Sequence, residues 1–326
     1  MITFARLLSK QYFAYSAKIL LLATALTACS TTDRSPRSPR SLKADKLFKS
    51  AYSRPMNQHE RALKEYNEAL EIYKELAENQ PGVYLIDLSA TLNNLGILYA
   101  SLNQYELAFE KFDEALKIRR KLAEENPSAY DPVLAQTLNN LAILHYTLSQ
   151  HEQALKEFQE ALVIYRKLFQ EHPQTYKPDL ADILNNLANL HSAINKPQLA
   201  LNEYSEALVL RRELAGENPD AHKPDLAQTL NNLASLHTTL RQYERALEEY
   251  SESLEIRKAL AEKNPAAWAV EYARTLLNQG VIFIHFNKLQ EAENSLRQAQ
   301  HQLRDSLYIP LAKELWDKTE ELLNKL

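Results

Sequence analysis

The sequence predicts an all-α fold: a right-handed α-solenoid of about six helix-turn-helix repeats, followed by a C-terminal capping helix. Blocks related to TLNNLA recur every 46 residues, only four glycines occur among the 326 residues, and the helix-favouring residues Ala, Leu, Glu, Lys and Gln are abundant. Scarce glycine disfavours turn-rich β folds and glycine-rich phosphate loops. A fixed period of this length indicates stacked repeats, each of which buries its apolar faces only against its neighbours.

Three blocks keep the same period along the chain. The TLNNL block begins at Thr91, Thr137, Ile183, Thr229 and Thr275. The block that opens the second helix of each repeat begins at Asn57, Asn103, Ser149, Asn195, Arg241 and Asn287. A proline closes each repeat, at Pro81, Pro127, Pro173, Pro219 and Pro265.

Each repeat is predicted to hold two helices. In one copy, leucines at steps of three predict a first helix over residues 132–148, and an apolar stripe around Phe158 predicts a second helix over residues 151–170. A linker, ENPSAYDP in this copy, is predicted to separate the repeats. Since a proline is tolerated in the first turn of a helix, the first turns are predicted to contain Pro132, Pro178 and Pro224.

Small residues at two positions of each second helix predict close helix crossings. The first position holds Ala62, Ala108, Ala154, Ala200, Ala246 and Ala292. The second holds Ala69, Ala115, Ala161, Ala207, Ser253 and Ala299. Between them lie large residues that are predicted to fill the space beside each crossing: Tyr66, Phe112, Phe158, Tyr204, Tyr250 and Leu296.

The N-terminal residues carry the features of an export signal. Residues 1–18 contain three basic residues and no acid, and residues 19–26 are a short apolar core that is too short to span a bilayer. The following LTAC sequence resembles a bacterial lipobox, in which the cysteine, here Cys29, becomes a lipidated N-terminus. The alternative is an ordinary signal peptide followed by an incidental thiol. Cys29 is the only cysteine, which excludes an internal disulfide and a multi-cysteine metal site.

Four segments follow from these observations. They are a lipoprotein signal peptide (1–28), a disordered Ser-, Pro- and Arg-rich tether (29–44), the repeats (45–306) and a capping helix (307–326). The capping helix is expected to pack against the last repeat through Leu311, Leu315, Leu322 and Leu326. A degenerate first helix is expected over residues 41–56. Removal of residues 1–28 changes the formal net charge from −4 to −7, which disfavours nucleic acid as a partner.

The pattern of small residues, leucines and aromatic residues at these spacings resembles the tetratricopeptide repeat, over roughly residues 45–306. The TLNNL form and the long second helix resemble the kinesin light chain subclass. The 46-residue period is longer than the usual repeat of about 34 residues. The resemblance implies a non-catalytic scaffold that binds a protein or peptide along a groove lined by the first helices.

The asparagine pairs of the TLNNL blocks are the candidate ligand-binding residues. The first asparagines are Asn93, Asn139, Asn185 and Asn231. The second are Asn94, Asn140, Asn186, Asn232 and Asn278. The resemblance implies that they face the groove, where a carboxamide offers both a donor and an acceptor to a peptide backbone. The alternative is that they bond to neighbouring helices and stabilise the stacking of the repeats.

Other recurrent residues have simpler interpretations. His145, His191 and His237 replace Tyr99 of the first full copy, and their spacing is too large for one metal ion, so packing is expected and no metal is predicted. Two charge ladders on the second helices are expected to be solvated or to form weak pairs between repeats. The basic ladder contains Lys74, Arg120, Arg166, Arg212, Lys258 and Arg304. The acidic ladder contains Glu68, Glu114, Glu160, Glu206 and Glu252.

The leading hypothesis is therefore a peptide- or protein-binding scaffold without cofactors, anchored by lipid at a bacterial envelope membrane. Because Ser30 and not an aspartate follows Cys29, the resemblance to bacterial lipoproteins favours the outer membrane where the cell has one. The second hypothesis is a structural protein that assembles with itself or with an envelope complex and has no diffusible ligand. The third is an enzyme, although the sequence contains no HExxH, Walker, nucleophile-elbow or Rossmann motif.

Overall fold

A computed structural model describes residues 38–54 and 58–326. The predicted signal peptide, Cys29 and the first part of the predicted tether lie outside the described residues. Within the described residues the chain forms thirteen α-helices, one short 3-10 helix and no strand, which confirms the all-α prediction. The chain divides between Tyr176 and Lys177 into two compact units, which we call the N-terminal and C-terminal units.

Six helices lie in the N-terminal unit, and a seventh crosses the division. The six are α1 (Pro39–Tyr52), α2 (His59–Asn79), α3 (Pro81–Ser101), α4 (Tyr105–Glu125), α5 (Pro127–Thr147) and α6 (His151–Glu171). The seventh is α7 (Pro173–Ala193). Consecutive helices from α1 to α6 pack against each other.

The C-terminal unit continues the same pattern. It contains most of α7 and then α8 (Pro197–Glu217), α9 (Pro219–Thr239), α10 (Tyr243–Lys263), α11 (Pro265–His285), α12 (Leu289–Leu303), a 3-10 helix (Arg304–Ser306) and α13 (Pro310–Leu323). From α8 onward, consecutive helices again pack against each other, and α13 contacts both α11 and α12. The odd-numbered helices α1 to α11 are the first helices of six repeats, and the even-numbered helices α2 to α12 are the second.

The first helices begin five residues earlier than predicted. Helix α5 begins at Pro127 and not at Pro132, and it contains most of the predicted ENPSAYDP linker. The internal prolines Pro132 and Pro178 lie inside their helices, as does Pro224, so their placement in the first turn was wrong. Each full repeat consists of two 21-residue helices joined by three residues, and a single residue leads to the next repeat. The second helix, His151–Glu171, agrees with the prediction.

A single residue separates the second helix of each repeat from the first helix of the next repeat. Asn126, Asn218 and Asn264 hold this position with φ between −148° and −142°. The side chain of Asn126 accepts a hydrogen bond from the Ala129 N–H at 3.3 Å, and the other two make the equivalent bond. The proline that follows favours extended backbone before it and needs no hydrogen-bond acceptor itself, so Asn-Pro forms the entire connection.

The turn within each repeat depends on a residue with left-handed backbone. This residue has φ between 57° and 62° and is Asn103, Ser149, Asn195, Arg241 or Asn287. In the first of these turns, the Gln104 N–H donates to the Tyr99 carbonyl at 2.9 Å and the Asn103 N–H to the Ala100 carbonyl at 3.1 Å. This pair of bonds satisfies carbonyls at the end of the first helix. Asparagine tolerates the left-handed region, whereas serine and arginine adopt it at a cost.

The predicted crossings are confirmed. All twelve small residues of the second helices are at most 5 % exposed, as are the large residues between them. The first helices contribute small residues as well: a β-carbon at Gly96 would lie 2.7 Å from the Phe112 ring, so the two helices of that repeat meet too closely for a larger residue there without a shift of the ring. The crossings therefore rest on small residues from both helices.

Both ends differ in detail from the prediction. Helix α1 begins at Pro39, with the Ser38 side chain as its cap, so residues 39–44 of the predicted tether are helical. In α13 the buried residues are Ala312, Leu315 and Thr319. Leu326 follows the helix and is 40 % exposed, so it is not part of the buried face of α13.

We expect Arg241→Asn to stabilise the protein by about 0.5–1 kcal/mol, because asparagine adopts the left-handed backbone of this turn at lower cost than arginine. The control is Arg241→Ala, which also removes the charge near the end of α9 but keeps the backbone penalty. Urea unfolding of the three proteins measures the difference. An equal gain in both variants would assign the effect to charge and contradict the backbone explanation.

Candidate functional site

The asparagine ladder, defined as the nine asparagines of the TLNNL blocks, lies largely under the surface of the first helices. Six of its members are between 1 % and 7 % exposed: Asn93, Asn94, Asn140, Asn186, Asn231 and Asn232. The other three are partly exposed: Asn139, Asn185 and Asn278. Most of the ladder is therefore closer to the core than a simple groove surface would place it.

In the N-terminal unit, the ladder joins neighbouring repeats. The Asn140 side chain donates from Nδ2 to Oδ1 of Asn93 in the preceding repeat, at 3.1 Å. The Thr137 hydroxyl donates to the same oxygen at 3.3 Å. The second asparagine of one repeat thus fixes the orientation of the first asparagine of the repeat before it.

The C-terminal unit repeats this arrangement. Asn232 donates from Nδ2 to Oδ1 of Asn185 at 3.3 Å and accepts from Nε2 of Gln228 at 2.8 Å. The Thr275 hydroxyl donates to Oδ1 of Asn231 at 3.2 Å. Since Asn185 accepts through its oxygen, its Nδ2 group is directed elsewhere, and no acceptor for it lies within the described residues.

At the N-terminal end of the ladder, the hydrogen bond to the preceding repeat is missing. Nδ2 of Asn94 is buried near the Tyr66 hydroxyl but makes no hydrogen bond of normal geometry within the described part of the chain. The position in α1 that would supply a first asparagine is Leu47, which has no side-chain oxygen. The ladder therefore starts with an amide donor whose partner is lost in the degenerate first repeat.

Sequence reasoning missed a set of buried arginines on the second helices. Arg119, Arg211 and Arg257 are 1–2 % exposed, and the equivalent positions in other repeats hold Tyr73 and Tyr165. The signal was present, because Arg119 follows Phe112 and Ala115 at helical spacing and so falls on the core stripe of α4. The predicted basic ladder used the next residue along each helix, which points to solvent.

Arg257 shows what these arginines do. Its Nη1 group donates to the Glu271 carbonyl at 2.8 Å and to the Thr275 hydroxyl at 2.5 Å, and Nη2 donates to Gln228 at 3.0 Å. Nη2 also lies 3.4 Å from the carboxylate of Glu271. One guanidinium therefore connects the two helices of its own repeat, α9 and α10, to the first helix of the next repeat, α11.

Arg211 makes the equivalent connection through acidic side chains. It pairs with Asp182, which lies 29 residues earlier, and with Asp225, which lies 14 residues later. Burial and the neighbouring Asp182 raise the pKa of Asp179 to about 7. Burial also raises the pKa of Asp182, although the Arg211 charge opposes the change. Three carboxylates around one buried guanidinium therefore cannot all be ionised without cost.

The three predicted packing histidines also make polar contacts. Nδ1 of His145 lies 2.7 Å from a carboxylate oxygen of Glu157, and the equivalent pairs are His191 with Glu203 and His237 with Glu249, each at 2.8 Å. Each pair ties the first helix of a repeat to its second helix. The first copy has Tyr99 and Lys111 at these positions, so histidine and glutamate occur together. The described residues contain no group of three or more metal-ligating side chains arranged around one point.

The charge ladders form pairs between neighbouring second helices, as expected. Arg120 binds Glu160 through two hydrogen bonds of 2.5 and 2.7 Å, and Arg212 binds Glu252 at 2.7 Å. All four side chains are at least 38 % exposed, so each pair contributes no more than about 1 kcal/mol.

Asp179 predicts a measurable pH dependence. A carboxylic acid whose pKa is raised by folding contributes stability that is complete below its unfolded pKa, near 4, and is lost as the pH rises through about 7. We expect Asp179→Asn to raise the free energy of unfolding by about 2–3 kcal/mol at pH 8, and to leave it almost unchanged near pH 4. Thermal melts at several pH values measure this, with the exposed Asp220→Asn as control. A wild-type pH profile in Asp179→Asn would contradict the assignment.

Family models of known proteins match most of the chain. The family model described as "Tetratricopeptide repeat" matches residues 50–121, 87–167, 133–213 and 179–259. A model of "Anaphase-promoting complex subunit 5" matches residues 241–306. No curated protein sequence matches the chain.

Solved structures share the fold. BtubC (BKLC) from P. vanneervenii is 24 % identical, with a TM-score of 0.61 over 77 % of this chain and 92 % of that one. Pseudomonas aeruginosa pilF is 18 % identical, with a TM-score of 0.54 over 89 % of this chain and 100 % of that one. NprR in complex with its cognate peptide NprX is 15 % identical, with a TM-score of 0.55 over 88 % and 71 %. With two-helix repeats throughout and four overlapping matches to its model, the chain belongs to the tetratricopeptide repeat family.

Proposed function

We propose that the protein is a non-catalytic scaffold that binds a peptide or protein partner along the surface of its first helices. The observation that carries the proposal is Asn185, a partly exposed amide whose oxygen is held by Asn232 and whose Nδ2 group has no acceptor within the described residues. Support comes from NprR, a structure of the same fold solved with its cognate peptide.

The two asparagines of each pair have different roles in this proposal. The second asparagine is a positioning residue, because Asn140 and Asn232 are buried and donate to the preceding repeat. Among the first asparagines, Asn185 is the one assigned to the ligand, through its remaining amide group, because Asn93 and Asn231 are buried. An amide donor held in one orientation suits the carbonyls of an extended peptide, whatever its side chains. Preorganisation of this kind lowers the entropic cost of binding.

We also propose that the scaffold has no catalytic activity of its own. The recurrent polar side chains are distributed over successive repeats, whereas catalysis needs several groups at one reacting atom. The recurrent histidines are each engaged with a glutamate of their own repeat. The net charge of −7 after removal of residues 1–28 makes a protein or peptide a better partner than nucleic acid.

The same proposal includes lipid attachment at Cys29, at the bacterial envelope. Its support is the order of a basic segment, a short apolar core and the LTAC sequence. No helix within residues 38–54 and 58–326 has the length and apolar character needed to cross a membrane. A lipid on the N-terminal cysteine would hold the repeats at the membrane surface.

The roles of the asparagines are tested with a peptide selected on the full chain from a random display library. We expect Asn185→Ala to weaken binding by about 0.5–1.5 kcal/mol, the value of one hydrogen bond. Because it also removes the oxygen that accepts from Asn232, it should lower the melting temperature as Asn232→Ala does, so the loss of affinity is what distinguishes the two variants. Asn232→Ala should lower the melting temperature, because it removes the contact between repeats. Calorimetric titration and thermal melts on both variants measure these effects.

The matched control is Asn202→Ala, on the exposed face of the second helix α8. If Asn185→Ala lowers the melting temperature and leaves affinity unchanged, the ladder serves the stacking of repeats alone. If no peptide is selected and light scattering shows a concentration-dependent oligomer, the structural hypothesis replaces the scaffold.

Lipid attachment has its own test. We expect mass spectrometry of the protein purified from membranes to show an acylated Cys29 at the N-terminus, and Cys29→Ser to release the protein from the membrane fraction. Ser30→Ala is the control and should remain bound. An unmodified N-terminus at another residue would remove the lipid anchor from the proposal.

A further inference from the structure

Helix α1 has a face that no described helix covers. Its buried side chains, Ser41, Ala44, Phe48 and Ala51, lie on the side that packs against α2. In later repeats the first helix also contacts the second helix of the preceding repeat, as α3 does with α2. No described helix precedes α1, so the side that would receive such a contact is open.

Lysines occupy this side of α1 at positions that belong to the core in the next repeat. The residues of α3 at two of these positions, Leu92 and Leu95, are at most 1 % exposed. The residues 46 positions earlier are Lys46 and Lys49, and both are exposed, as is Lys43 one turn before them. Since three residues turn a helix by about 300°, the three lysines lie within about one third of its circumference.

The three lysines have no ion pair or hydrogen bond within the part of the chain that the structure describes. The acidic residue of α1, Asp45, accepts a hydrogen bond from the Tyr73 hydroxyl at 2.6 Å and is therefore held toward α2. Leu42 lies among the lysines and is 55 % exposed. We call Leu42, Lys43, Lys46 and Lys49 the outer face of α1.

An array of repeats needs a polar face at each end in any case, so charge alone does not identify a partner. The two ends of this chain differ, however, in how their charges are arranged. On α13 the exposed charges have both signs and pair along the helix: Lys313 with Asp317, and Glu321 with Lys318 and Lys325. The outer face of α1 has charges of one sign without such partners, which a solubilising cap does not require.

The charge of this region is opposite to that of the rest of the chain. Residues 30–54 contain seven basic and two acidic residues, a formal net charge of +5. Residues 55–326 contain 28 basic and 40 acidic residues, a formal net charge of −12. An anionic surface would therefore attract α1 and repel the remainder, which favours an approach through the outer face.

The proposed lipid would bring α1 close to such a surface. Pro39, the first residue of α1, lies ten residues after Cys29, a distance of at most about 35 Å even for a fully extended chain. Lysines near a bilayer are attracted by anionic phospholipids. An exposed leucine among them suits the boundary between headgroups and acyl chains, where interfacial helices bury their apolar residues.

We propose that the outer face of α1 docks on the anionic phospholipid headgroups of the membrane to which the protein is attached. The three lysines bind headgroup phosphates through charge-assisted hydrogen bonds, and Leu42 enters the headgroup layer. This inference rests on the proposed envelope location and adds an orientation to it. The lipid sets the distance between α1 and the bilayer, whereas the outer face determines which side of the first repeat meets it.

The contact is tested on the full chain, purified from membranes and reconstituted into vesicles of phosphatidylcholine, with or without about one-third phosphatidylglycerol. Reductive methylation and mass spectrometry measure the reactivity of each lysine. We expect Lys43, Lys46 and Lys49 to react several-fold more slowly on the anionic vesicles, and the exposed Lys121 and Lys258 to react equally on both. In about 1 M salt the difference should disappear, because the screening length falls to about 3 Å.

A charge variant measures the strength of the contact. The three lysines of the outer face are changed together (Lys43→Gln, Lys46→Gln and Lys49→Gln) in the Cys29→Ser background, so that no lipid contributes. Flotation gives the ratio of the affinities for anionic and neutral vesicles, in which the apolar contribution of residues 1–28 cancels. We expect this ratio to fall about 100-fold, at about fivefold for each lysine.

The control carries the same loss of charge elsewhere, as Lys121→Gln, Lys196→Gln and Lys258→Gln. It should change the ratio by less than about threefold, because these lysines lie outside the outer face. All six side chains are exposed, so both variants should keep the melting temperature of the parent chain.

The outcomes separate this inference from the proposed lipid anchor. An unchanged ratio in the outer-face variant, or an equal fall in the control, would overturn the docking face even if Cys29 is acylated. An unmodified Cys29 with a ratio that depends on the outer face would remove the anchor and support the docking face. Binding of a single-stranded oligonucleotide through the same lysines, as tight as that of anionic vesicles, would assign the face to nucleic acid and overturn the membrane contact.

Discussion

The close approach of the two helices in each repeat is the constraint on which the rest of the structure depends. Alanine, glycine or serine at the crossings lets the backbones meet, as at Gly96, where even a β-carbon would collide with Phe112. Because the helices are so close, the large residue beside each crossing is enclosed. The arginines about two turns further along the second helices, and the histidines of the first helices, are buried as well. Burial of polar groups is thus a direct result of small residues at the crossings.

Those buried polar groups give the repeats a defined register. Leucine contacts tolerate small rotations between helices, but a guanidinium such as Arg257 accepts only positions that satisfy its three acceptors at once. The asparagines add a further restraint, since Asn140 must reach Asn93 in the repeat before it. The same groups lie just under the first-helix surface, so the network that aligns the repeats also orients the amides to which we assign the peptide.

The sequence predicted the repeat, the two helices and the crossings because these depend on periodic apolar and small residues. It misplaced the start of the first helices because the prolines at 127 and 132 both fit a first turn, and only the complete backbone distinguishes them. The asparagine ladder was identified as a set, but its bonds depend on which repeat each side chain faces. Arg119 was missed because it adjoins the exposed Arg120. That it has no carboxylate partner among the described residues is visible only by comparison with Arg211 and Arg257 in three dimensions.

The single residue that joins consecutive repeats limits how such a chain changes its length. Asn126 ends α4 and caps α5, so there is no loop between them to absorb an added residue. One inserted residue would turn the following helix by about 100° and move its asparagines away from their partners. Insertions that preserve the structure must therefore comprise whole repeats, which makes tandem duplication of complete 46-residue segments the natural route by which this protein lengthened.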